Sequence, residues 1–189
     1  MSDNKISLTS EREIRIFTDP LRQRLLAQME ILGSPVTAKK LADALGITPS
    51  SAKHHLLQLQ SIGLVEVDHR ETIRGIVATF YRRTGREIYL HAEVPGLERE
   101  KALAMENDLR MVQEGFWQSI DASRTAGQPL PWGTTDRSGV LHLTREEMDE
   151  LQAVVNAYLE AHREPKPGSR PIRFAMLCYD AGGCDDEVR

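Results

Sequence analysis

Apolar residues recur through the first third of the chain at helical spacing, in short runs separated by start and stop signals. Ser10-Glu11-Arg12-Glu13 is a capping box ahead of Ile14, Ile16 and Phe17. Asp19-Pro20 restarts the chain, Asp19 as N-cap and Pro20 at the first helical position. Leu21, Leu25, Leu26 and Met29 then form one apolar side, which ends at Gly33. Val36 suggests a brief strand, and Thr37 caps a helix with Leu41, Ala42 and Leu45 on one face. Gly46 breaks that helix, and Thr48-Pro49 opens another that closes at Gly63. In this second helix Ala52, His55, Leu56, Leu59 and Ile62 form a buried stripe, leaving Ser50, Lys53, His54, Leu57, Gln58 and Ser61 outside. A tight Gly turn between two helices, the second with a polar and basic outer face, predicts a helix-turn-helix; an ordinary helical hairpin is the plain alternative.

The period then changes to two. Leu64-Val65-Glu66-Val67 and Ile76–Tyr81 read as two strands of a hairpin, with Arg70 and Arg74 on the polar loop from Asp68 to Gly75. Arg82, Arg83 and Arg86 lie just beyond, and Met1–Thr9 reads as a frayed terminus. A charged hairpin directly after a helix-turn-helix predicts a winged helix. Further on, Ala102, Met105, Leu109, Val112 and Phe116 form a heptad-like seam in a strongly helical stretch, a packing or dimerisation helix. Dimerisation is preferred, because a helix-turn-helix reading a two-fold operator needs a two-fold partner. The Gly- and Pro-rich stretch 126–139 marks a boundary. Val140–Leu143 reads as a strand, Thr144-Arg145-Glu146-Glu147 as a second capping box, and Met148, Leu151, Val154, Val155, Tyr158 and Leu159 as one side of a helix. Pro171–Tyr179 reads as a closing strand and Ala181–Arg189 as a loose tail. The predicted class is mostly α with small β (α+β): a winged helix-turn-helix over 10–92, a long helix over 97–125 and a strand-helix-strand module over 139–180.

With 189 residues the chain is long enough to bury a real core. No apolar run approaches membrane-spanning length, and the first ten residues are too polar for a secretory signal, so a cytoplasmic location is expected without membrane association. Cys178 and Cys184 give no disulfide framework. The net charge of −4 hides an asymmetry. Residues 1–92 carry 13 Lys and Arg against 10 Asp and Glu, and residues 93–189 carry 11 against 18. The helix-turn-helix half is mildly basic, as expected if one face meets phosphates.

Asp19-Pro20-Leu21-Arg22, the run LADALGITPSSAKHHLLQLQSIGLV and the arginine-bearing hairpin ending in Phe80-Tyr81 together resemble the ArsR-type winged helix of bacterial repressors. The resemblance covers about residues 12–90, and Ser-Ser-x-x-His-His-Leu-x-x-Leu-x-x-x-Gly-Leu-Val is its most specific part. It implies a homodimeric transcription regulator that binds operator DNA and responds to a metal or other signal. Two departures matter. Metal-sensing members of that family carry paired cysteines in the helix that here reads Lys39–Leu45, without Cys or His. Leu57 stands where a Lys is common.

The residues expected to meet double-stranded operator DNA are Thr48, Ser50, Ser51, Lys53, His54 and Gln58 on the second helix, with Arg70 and Arg74 on the wing. His55 falls on the buried stripe and reads as a core histidine. Cys178, Asp180 and Cys184, with His142 on a neighbouring strand, have weak metal-site spacing, so neither metal nor cofactor is expected. Phe116, Trp117 and Trp132 near the last strand suggest a pocket for an unidentified small-molecule effector, against a plain core role. There is no phosphate-binding Gly loop, nucleophile elbow or metal-binding His/Glu pair, and no enzymatic activity is expected. The competing reading is a winged helix used for protein–protein contact.

Overall fold

The computed structural model describes residues 5–33, 35–84, 87–90 and 96–182. Helix α1 (Glu11–Phe17) opens on the expected capping box: the Ser10 hydroxyl accepts the Glu13 N–H at 3.2 Å, and Glu13 Oε2 accepts the Ser10 N–H at 3.0 Å. Donation to the Glu13 carboxylate from the Ser10 N–H, the Ser10 hydroxyl at 2.8 Å and the Thr9 N–H at 3.1 Å holds that carboxyl below its ordinary pKa. Helix α2 (Pro20–Leu32) starts where Asp19 Oδ1 accepts the N–H groups of Leu21 and Arg22, each at 3.0 Å. It ends at Gly33, whose φ of 58° is left-handed.

After the two-residue strand β2 (Val36–Thr37) come α3 (Ala38–Leu45) and α4 (Pro49–Ser61), capped by Thr37 and Thr48. The hairpin of β3 (Val65–Ile73) and β4 (Ile76–Arg83) completes an antiparallel sheet in the order β2-β4-β3. Ile14, Leu25, Leu41, Leu56, Leu59 and Leu64, each at most 1% exposed, fill the space between helices and sheet. The chain is α+β with a winged helix-turn-helix, the predicted class.

Three expectations need correction. Residues 5–8 are not frayed: β1 (Lys5–Leu8) pairs in parallel with β5 (Glu87–Leu90), and Leu8 is fully buried. The loop from Asp68 to Gly75 is strand almost throughout. Ladder pairs continue to Ile73↔Ile76, leaving only Arg74 and Gly75 at the turn, so Arg70 sits in β3 opposite Thr79. Polar residues are no obstacle to a strand exposed on both sides, which is what the wing is. Beyond α5 (Glu98–Thr125) and α6 (Arg145–Ala161), the strand-helix-strand module keeps only its helix. Val140–Leu143 and Pro171–Tyr179 are extended without ladder partners, because among the described residues no sheet edge lies alongside to take their hydrogen bonds. Arg86, Cys184 and most of the predicted tail lie outside the described residues.

Candidate nucleic-acid interface

Helix α4 is aimed by its own caps and stripe. Gly46, at φ 66°, reverses the chain after α3, and the Thr48 hydroxyl accepts the Ser51 N–H at 3.2 Å. Pro49 fills the first helical position, where no N–H is needed. Ala52, Leu56 and Leu59 are fully buried, so the opposite face is turned outward. Thr48, Ser50, Lys53, His54, Leu57 and Ser61 are exposed, and Ser51 and Gln58 are half-buried at the edge of that face.

His55 occupies the boundary between face and core. Its Nδ1 lies 3.4 Å from Arg22 Nη1. Arg22 is itself held by donation to the Arg15 carbonyl at 3.0 Å, by a second bond to the Ile16 carbonyl, and by an ion pair to Asp19 at 3.5 Å. Burial is the main cause lowering the imidazole's pKa, with Arg22 and His54 adding to it and Asp19 opposing. The cluster ties α1, α2 and α4 together and fixes the rotation of α4 about its axis.

The wing is shaped by one extra residue. Val67 pairs with Tyr81 and His69 with Phe80, so Asp68 forms a bulge. The bulge brings Asp68 to His69 at 2.6 Å and to Arg82 at 3.3 Å, and His69 stacks on Phe80 with ring centroids 4.3 Å apart. Arg82 also pairs with Glu66 at 2.7 Å, and Arg83 pairs with Glu30. Arg70 and Arg74 have no such carboxylate among the described residues, and both are exposed. They are the wing's two arginines without an ion pair among the described residues, with the exposed Glu71 next to Arg70. Arg74 and Gly75, at φ 51° and 82°, form the two-residue turn with positive φ at both positions, a type I′ geometry.

Sequence reasoning missed the residues beside α4. An open concavity of about 760 Å³ runs between α1 and α4, lined by Arg12, Arg15, Arg22, His54 and Gln58. Arg15 is held at its rim by Glu11 at 2.8 Å and Glu100 at 3.6 Å. Helical periodicity assigns Arg12 and Arg15 to a solvated face. Only the tertiary approach of α1 to α4 brings them beside His54 and Gln58, and no local signal carries that.

On α5, Ala104 and Asn107 are buried, whereas the predicted seam lies on another face: Ala102 and Met105 are exposed, and Leu109, Val112 and Phe116 are half-buried. The Asn107 Oδ1 accepts from Arg110 at 2.7 Å, while its Nδ2 has no partner. Phe116 and Trp117 meet edge to face at 5.4 Å, and Trp117 and Trp132 are both more than half exposed. Cys178 is exposed. Among the described residues no three His, Cys, Asp or Glu side chains are grouped for a metal ion, and no helix is long and apolar enough to cross a membrane.

Residues 17–68 match a family model described as a helix-turn-helix domain, a span from the end of α1 into β3. No curated protein matches the chain. The matched span and the wing that follows it support a DNA-binding regulator in general.

Proposed function

We propose that this protein is a homodimeric, sequence-specific transcription regulator of the ArsR type, a repressor without that family's cysteine metal site and responsive to a small effector. The observation that carries the reading is the outward polar face of α4 beside a wing whose exposed Arg70 and Arg74 make no ion pair among the described residues. In this reading α4 enters the major groove. Gln58 pairs with adenine, Lys53 meets guanine or a phosphate, and Ser50, Ser51 and His54 contact neighbouring base edges. The N-terminus capped by Thr48 offers backbone N–H groups and a positive dipole end to a phosphate. Arg70 and Arg74 reach the backbone or the adjacent minor groove, and two copies related by a two-fold axis read two half-sites.

The test is a mobility shift with the DNA upstream of the protein's own gene across a salt series. A specific complex with a steep salt dependence supports the regulator. Absence of any complex at low salt sinks it and leaves a winged helix used for protein contact.

A further inference from the structure

The winged helix closes its own core; residues 126–180 do not. No residue of α6 is buried, and Val154 and Tyr158 are 62% and 64% exposed. Along the segment after it, Ile172, Phe174, Met176 and Leu177 are all at least half exposed. Alternate positions there are apolar on both sides, a pattern that belongs to chain covered on both faces.

The missing cover has a measurable size. The chain exposes 14,223 Å², against roughly 9,100 Å² for a compact protein of 21.3 kDa. A stable pair needs only about 800 Å² from each partner, well within that difference.

Charge selects the occupant. Arg173, on this segment, pairs with Asp108 of its own α5 at 2.8 Å, so the segment and α5 are complementary in charge, and two copies can exchange this same pair. The exposed apolar residues Leu103, Met105 and Trp117 of α5 continue the same surface. An anionic membrane is a poor alternative, because α6 carries Glu146, Glu147, Asp149, Glu150 and Glu160 against Arg145 alone.

We propose that residues 126–180 are an interlocking arm: α6 and the extended segment 170–180 of each protomer close over α5 of a second copy. This deepens the homodimer part of the function proposed above and rests on it. It places much of the contact in the arm and not in the α5 seam alone.

Sedimentation of the full chain at micromolar concentration tests the arm, comparing the wild type with Phe174→Glu/Leu177→Glu. Both side chains are exposed in the protomer, so the double variant is expected to keep its helical circular dichroism and to self-associate about a hundredfold more weakly. A variant that dimerises as tightly as wild type overturns the arm, as does a wild type that stays monomeric. If the variant fails to fold, lysine cross-linking of a mixture of isotopically light and heavy wild-type protein decides. Mixed-label links between Lys166 and Lys101 are expected, and same-label links alone overturn the proposal. A wild-type protein that binds its operator specifically while failing these tests would leave the regulator reading standing without the arm.

Discussion

Arg74 holds a left-handed backbone at φ 51°, in a turn where Asn, Asp or Gly is the usual choice. An L residue with a Cβ costs roughly 1–2 kcal/mol there, less for Asn. A residue that strains its own turn and has no carboxylate to pair with is explained if the guanidinium is needed at the wing tip. Arg74→Asn is therefore expected to raise unfolding stability in urea by about 0.5–1 kcal/mol while weakening DNA binding. Greater stability with undiminished DNA affinity would remove the wing from the interface. His55 gives a second prediction, in pH. Its folded pKa is lowered below the ordinary histidine value, so its contribution to stability is fully present above about pH 6.5. Below that pH the unfolded chain binds the proton more readily, and the contribution is lost as pH falls toward the folded pKa. The midpoint of thermal unfolding should drop between pH 7.5 and pH 5 by more in wild type than in His55→Gln. Equal drops would show that burial of this imidazole has no energetic consequence.

At the scale of elements, neighbouring positions on α4 should behave in opposite ways. Leu59 is fully buried, and Leu59→Ala should cost about 2–5 kcal/mol in urea unfolding. Gln58, one residue earlier, is half-buried at the edge of the outer face; Gln58→Ala should change stability by less than about 0.5 kcal/mol. In binding it should relax preference at one base pair by about 1–3 kcal/mol, read by competition with single-base operator variants. A Gln58→Ala protein with unaltered base preference would take that residue out of the readout. The contrast also marks how much was legible in the sequence. Caps at Ser10, Asp19, Thr37, Thr48 and Thr144, and the stripes of α1 to α4, are local patterns, and each stands where periodicity predicts it. Strand pairing is not local. The partner of β1 lies some eighty residues away in β5, the wing's register depends on a bulge at Asp68, and the apolar stretch 171–179 meets no sheet edge among the described residues. The outer face of α4 was legible for the same reason as its stripe. The arginines of α1 beside it were not, because their position depends on how α1 packs against α4.

At the scale of the molecule, the proposed function makes the number of protomers on DNA a measurable quantity. Each phosphate contact contributes about 0.9 to the slope of log affinity against log salt. An arginine used once per protomer is used twice by a dimer on a two-fold site. Arg74→Ala should therefore weaken binding to every sequence and reduce the wild-type slope by about 1.8 if two wings engage, but by about 0.9 if one does. The same substitution placed on Phe174→Glu/Leu177→Glu, titrated below the concentration at which that variant self-associates, should recover the single-protomer value. A change near 0.9 in both backgrounds would mean that one wing meets DNA whatever the arm does, whereas no change in either would mean that Arg74 touches no phosphate. A halving of the effect between the two backgrounds would tie the acidic half's contribution to DNA binding to holding two recognition helices at one operator.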